Sequence, residues 1–148
     1  MSVKLRVRRL PGAEGLPLPS YETSRAAGAD LRSAEPGPLI IGPGQRVALR
    51  TGLVLEIPDG FEAQVRPRSG LALRHGLTIV NAPGTIDSDY RGEVKVLMVN
   101  LGDSPVTIER GDRVAQLVLA PVTRAEFTEA DELEATGRGA GGFGSTGR

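Results

Sequence analysis

Residues Leu77–Asn100 read L-T-I-V-N-A-P-G-T-I-D-S-D-Y-R-G-E-V-K-V-L-M-V-N. Two apolar, β-branched runs, Leu77–Val80 and Val94–Val99, flank a polar centre. Branched side chains pack well on a pleated surface and are stiff in a helix, so both runs predict strands. Paired antiparallel, they make a hairpin. A hairpin that only reverses the chain uses about two to five turn residues, and this connection is far longer. Ala82–Glu93 carries Asp87, Asp89, Tyr90 and Arg91 between Gly84 and Gly92. So many polar side chains on one loop predict a site there.

The period of two continues outward from this segment. Val3, Leu5 and Val7 alternate with Lys4, Arg6 and Arg8. Further strand-like runs are Leu39–Ile41, Arg46–Ile57, Phe61–Arg66, Val106–Glu109 and Arg113–Val122, with Leu77–Asn81 and Glu93–Asn100 bounding the opening hairpin. Pro-Gly, Gly-Pro, Pro-Asp-Gly, Leu-Gly-Asp and Arg-Gly-Asp punctuate them as turns. Many short strands, with 20 Gly and 11 Pro in 148 residues, predict one all-β domain, an antiparallel sandwich or jelly-roll-like barrel. Leu71–Arg74 reads as a short helical turn, and the acidic stretch Ala125–Ala135 as a weak second helix.

Composition removes several chemistries. Eighteen basic and eighteen acidic residues balance, so there is no net basic footprint for sequence-independent binding to nucleic acid. Arginine greatly outnumbers lysine, a bias that suits bidentate recognition of phosphate or carboxylate and that a GC-rich genome also produces. Without cysteine there is no disulfide framework, thiolate nucleophile or zinc-thiolate site. His75 is the single histidine, which excludes a multi-histidine metal centre. No apolar run approaches membrane-spanning length, and Met1–Leu10 does not resemble a signal peptide. The expected setting is cytoplasmic, with no membrane partner.

Four other segments carry chemistry. Arg66–Gly76 reads R-P-R-S-G-L-A-L-R-H-G, with Arg68, Ser69 and Gly70 just ahead of the helical turn. Such a loop suits an anion through backbone N–H groups, a hydroxyl and a glycine that permits close approach; equally, Ser69 suits a simple helix cap. Ala27–Ala34, A-G-A-D-L-R-S-A, holds Asp30 as a lone acid among small residues, either a site group or an edge aspartate. Arg110–Leu117, R-G-D-R-V-A-Q-L, is a tight turn entering a strand, from which Gln116 offers one polar group. Gly137–Arg148, G-R-G-A-G-G-F-G-S-T-G-R, is either a disordered tail or an arm that orders over a ligand, with Arg138, Phe143, Ser145 and Thr146 as its contacts. The Walker pattern is absent, and Gly137, Gly139 and Gly142 match G-x-G-x-x-G without any βαβ context. Together the segments suggest a phosphate-bearing ligand, an acidic centre and a mobile arm. Acid beside phosphates is most useful where Mg²⁺ neutralises the phosphates and the acid orients water, which points to hydrolysis of a nucleotide phosphoanhydride.

In order, A-G-A-D-L-R-S-A, P-R-S-G-L-A, N-A-P-G-T-I-D-S-D-Y-R-G-E, R-G-D-R-V-A-Q-L and R-G-A-G-G-F-G-S-T-G resemble the five motifs of the trimeric deoxyuridine triphosphatases. The likeness spans about residues 20 to 147. It implies a jelly-roll-like (β-clip) subunit of a homotrimer with shared active sites. The body would be residues 1–136, and residues 137–148 an arm closing a neighbour's site. The implied reaction is dUTP + H₂O → dUMP + pyrophosphate with Mg²⁺ on the triphosphate. It limits uracil incorporation into DNA and supplies dUMP for thymidylate synthesis.

By position, the resemblance makes Asp87 the water-activating carboxylate. Asn81, with the backbone at Gly84, Thr85 and Ile86, would read the uracil edge. Tyr90 would pack on the deoxyribose and exclude a 2′-hydroxyl, and Lys95 would contribute to the same pocket. Arg68, Ser69, Gly70 and Gln116 would contact phosphates. Arg138 would reach the γ-phosphate, Phe143 would stack on the base, and Ser145 and Thr146 would hold phosphates. No direct protein ligand to the metal is implied, and Asp30 would act only through water. Arg32 stands where an aromatic residue is common, and Thr146 where a second serine is common. The related deoxycytidine triphosphate deaminases need a glutamate about ten residues after the hairpin aspartate. Leu97 occupies that place and cannot transfer a proton. A non-catalytic trimer of the same fold would be attractive only if Asp87, Tyr90 or Arg138 were missing.

Overall fold

The computed structural model describes residues 2–147; Met1 and Arg148, the outer ends of the expected body and arm, lie outside the described residues. Along the chain run β1 (Arg6–Arg9), β2 (Ala29–Arg32), β3 (Leu39–Ile41), β4 (Arg46–Glu56), β5 (Phe61–Arg66), α1 (Ser69–His75), β6 (Leu77–Ile79), β7 (Gly84–Ile86), β8 (Glu93–Asn100), β9 (Val106–Ile108) and β10 (Arg113–Pro121). They form two four-stranded sheets, β1-β4-β8-β6 and β2-β10-β5-β7, and a two-stranded β3-β9 ribbon, with antiparallel pairing throughout. The all-β, jelly-roll-like expectation is met. No helix of the described residues is long and apolar enough to cross a membrane.

Alternation explains the layering. In β8, Val94, Val96 and Met98 are buried while Lys95 and Leu97 face outward. The inward set joins Leu31, Ile41, Leu49, Leu55, Leu77 and Val114 in one core shared by both large sheets. Fully burying such a side chain contributes about 1.5–3 kcal/mol. Asn100 ends β8 inside this core, fully buried. Its amide donates to the carbonyls of Ile41 (2.9 Å) and Ser104 (2.8 Å), and its oxygen accepts the Gly102 N–H (2.8 Å). A buried amide is tolerated because its groups are paired.

Three expectations change. The segment between β6 and β8 is not a plain hairpin tip: β6 and β8 do pair, but the chain between them crosses to the other sheet, where β7 pairs with β5. Its length serves two sheets. The helical turn is longer than Leu71–Arg74, beginning at Ser69 with Arg68 in the cap position and no side-chain cap hydrogen bond. Ser69 is therefore not a cap. Ala125–Ala135 is not helical but irregular and exposed throughout. Phe127 and Leu133, six residues apart, give no apolar stripe to bury, and short helices need one.

The chain leaves the body at Val122, whose N–H makes a 2.9 Å hydrogen bond to the Gly60 carbonyl. Residues 121–140 are exposed without exception.

Candidate active site

β7 is the outer strand of its sheet and β6 the outer strand of the other. One row of backbone N–H and C=O groups on an edge strand is left unused by the ladder and is free to meet a ligand. Beside these edges lies a cleft of about 290 Å³, lined by Asn81, Gly84, Thr85, Ile86, Tyr90, Glu93 and Lys95 over an apolar base of Val65, Ile79, Val94 and Leu97. Lys95 and Leu97 reach it because β8 turns its other face to the core. A Cβ on Gly84 would sit 3.3 Å from the Asn81 amide nitrogen and 3.4 Å from Val65 Cβ. Glycine there lets the amide approach the strand backbone closely. An apolar slot with one amide and a row of backbone groups suits a flat heterocycle that is read along one edge.

Tyr90 is held in place. Its N–H closes a turn on the Asp87 carbonyl (3.2 Å), and its hydroxyl donates to the Glu93 carbonyl (3.0 Å). The ring lies over Gly92, where any Cβ would overlap the phenol. Glu93 is anchored in turn: Arg50 Nε lies 3.2 Å from both of its carboxylate oxygens. Asp87 follows Ile86 directly and is exposed, on a neighbouring groove with Asp59, Glu62, Asp89 and Arg124. Asp87 is not part of the cleft lining itself.

The predicted phosphate-contacting residues form a second patch. Gln116 of β10 pairs with Asp30 of β2 on one side and Arg66 of β5 on the other, two residues before Arg68. Gly28 abuts it, since a Cβ there would lie 3.0 Å from Gln116 Cβ. Asp30 is buried, with Arg68 Nε and Arg113 Nη1 each 3.4 Å from its carboxylate. Ser69 is exposed and Gly70 half-buried at the start of α1. Gly84 and Asp30 lie on opposite edges of one sheet, three strand spacings or about 14 Å apart.

Arg138, Phe143, Ser145 and Thr146 form a third group, which the chain does not bring to either patch. Arg138 Nε bonds the Gly141 carbonyl at 2.7 Å, and the Ser145 N–H bonds the Gly142 carbonyl at 3.0 Å. Phe143 is fully exposed at a positive φ of 52°.

Sequence reading missed Val65, Gly92, Glu93 and Arg113. Gly92, set between Tyr90 and Glu93, carried a usable signal, because a glycine beside an aromatic ring often marks close packing. Glu93 and Arg113 lay inside quoted motifs without a role of their own, and Val65 carried no signal.

These features define a jelly-roll-like β protein with a polar-rimmed cleft between two sheet edges. The dUTPase family model matches residues 14–147. Two relatives, each a deoxyuridine 5'-triphosphate nucleotidohydrolase, are 61% identical. The one from Rhizobium etli aligns over 145 residues, 97% of this chain and 93% of its own. The one from an Anaeromyxobacter species aligns over 150 residues, the whole of both chains. The Staphylococcus bacteriophage 80alpha dUTPase with dUPNHPP superimposes with a TM-score of 0.89 at 26% identity, over 99% of this chain and all of the phage chain. A dUTPase from phage phi11 of S. aureus, described with a structural Mg(II) ion, shares the fold at a TM-score of 0.79 and 24% identity, over 90% of this chain and all of its own. The chain belongs to the dUTPase family.

Proposed function

We propose that this chain hydrolyses dUTP to dUMP and pyrophosphate. The observation that carries the reading is one cleft lined by Asn81, Gly84, Thr85, Ile86, Tyr90 and Lys95, with Asp87 next in the chain. Asn81 and the free edge of β7 read the uracil edge. A wrong base covers those donors and acceptors and leaves them unpaired, which is the physical source of discrimination. Tyr90, fixed by Glu93 and Gly92, packs on the deoxyribose and rejects a 2′-hydroxyl. Arg68, Ser69, Gly70 and Gln116 hold the triphosphate.

Asp87 takes a proton from water as the water oxygen bonds to the α-phosphorus. The bridging bond to the β-phosphate breaks, and pyrophosphate leaves. Among the described residues no three His, Asp or Glu side chains gather to hold a metal. Mg²⁺ keeps several waters and is commonly carried by substrate phosphates with few protein ligands, so the residues present fit an ion brought by the triphosphate. Bound there, Mg²⁺ would neutralise phosphate charge, with Asp30 facing it only through water.

The exposed segment after Val122 is free to reach another copy, as the expected homotrimer, with residues 137–148 closing a neighbour's site, requires. Arg138 meets the γ-phosphate, Phe143 stacks on the base, and Ser145 and Thr146 bind phosphates. Residues 1–136 form the body, their last stretch serving as the tether.

Pyrophosphate release from dUTP, dCTP, UTP and dTTP, with and without Mg²⁺, tests the reading. Release is expected from dUTP alone, raised by Mg²⁺. Release from dTTP at the same rate, or none from dUTP, overturns it. Tyr90→Ala is expected to relax rejection of UTP by about tenfold or more, and Gly92→Ala to do the same by displacing the ring. Unchanged dUTP/UTP selectivity in both variants removes Tyr90 from the role of sugar gate.

A further inference from the structure

We infer that Arg113 is a positioning residue for the phosphate-binding loop, acting on Arg68 through the buried carboxylate of Asp30. The inference rests on the proposed reading in which Arg68 meets the triphosphate. Asp30 is 4% exposed. Its Oδ1 lies 3.4 Å from Arg68 Nε, and its Oδ2 lies 3.4 Å from Arg113 Nη1. Arg113 also touches Arg68 directly, its carbonyl accepting from Arg68 Nη1 at 3.3 Å. At its outer end, Arg113 Nη1 is 3.4 Å from exposed Glu22. Charges therefore alternate along one line: Glu22, Arg113, Asp30, Arg68.

Backbone geometry makes the line possible. Side chains three apart on a strand ordinarily face opposite sides, so Arg113 and Gln116 should diverge. The β10–β2 register shifts between Arg113 and Ala115, with Val114 as the extra residue, and both Val114 and Ala115 are buried. This bulge returns Arg113 to the face that carries Gln116 and Asp30.

Asp30 Oδ1 and Arg68 Nε are buried, and neither completes a hydrogen bond. A buried carboxylate requires paired positive charge, and here two guanidinium groups share one. Because Arg113 takes half of that interaction, Arg68 is not neutralised by Asp30 alone and keeps charge and donors for a phosphate. Without Arg113, Asp30 and Arg68 close into a plain ion pair. The guanidinium then turns from the ligand.

Binding, rather than turnover, tests this in the full-length protein with Mg²⁺ present. The imido analogue of dUTP probes the phosphates and 2′-deoxyuridine probes the nucleoside cleft alone. Arg113→Gln is expected to weaken the analogue by about tenfold or more and leave deoxyuridine unchanged, with Arg113→Lys recovering part of the loss. Deoxyuridine binding also reports a folded cleft; if Arg113→Gln does not fold, the same split between ligands in Arg113→Lys decides. Equal weakening of both ligands, or no change in either, overturns the inference. Arg68→Gln run in parallel separates the two levels. If it leaves the analogue's affinity intact, the phosphate role of Arg68 itself falls and the inference with it. If it weakens the analogue while Arg113→Gln does not, only the positioning role falls.

Discussion

Asp87→Asn is expected to lower dUTP turnover by about 10²–10⁴-fold, the usual contribution of a positioned general base, while affinity for a non-hydrolysable analogue stays within a few-fold. Asparagine is nearly isosteric with aspartate, and Asp87 is exposed just beyond β7, so nothing in the core is disturbed. The turn that sets Tyr90 uses the Asp87 carbonyl, not its side chain, so the ring position proposed to meet the sugar is kept. What is lost is an oxygen able to accept a proton. Single-turnover rates compared with equilibrium binding separate the two effects. A variant that turns over dUTP at the parent's rate would take water activation away from Asp87.

Removing residues 137–148 is expected to cut turnover by about 10²–10³-fold with assembly intact, a loss comparable to deleting one pre-arranged charge-stabilising group. Among the described residues no backbone hydrogen bond ties this segment to the body beyond Val122, and Arg138 bonds the nearby Gly141 carbonyl. Its departure therefore leaves the core and both large sheets as they are. The six glycines of this segment make ordering costly in entropy, and an arm with no ligand to cover gains nothing by it. Steady-state rates and sedimentation of the truncated chain give both readouts. An unchanged rate makes the segment a tail and nothing more.

Much of this was legible in the residues. The alternation of Val94, Val96 and Met98 with Lys95 and Leu97 is the same in the sequence and in β8, because inside and outside of a sheet differ by one position. Asp87 and Tyr90 stood out because a dense polar stretch between strands has few purely structural uses, whereas Asn81, Gly84, Thr85 and Ile86 were marked only by the resemblance of their motif to the family's. The strand ends shifted more: the alternation read over Val3–Arg8 becomes β1 at Arg6–Arg9, since its pairing with Leu53–Glu56 of β4 selects the register.

The sequence by itself determined an all-β chain, the polar segment that lines the cleft, and the five motifs that mark its family. The first two follow from local periodicity and residue chemistry, which act over a few positions; the motifs mark the family by resemblance. Tertiary structure alone decided that the 80–92 connection sends β7 into the second sheet, that a bulge at Val114 turns Arg113 toward Asp30, and that Ser69 begins a helix without capping it. The first two depend on which distant strands pair across the packed sheets. A linear pattern carries no record of that, because strand partners anywhere from about 20 to almost 90 residues away are chosen by the packed sheets.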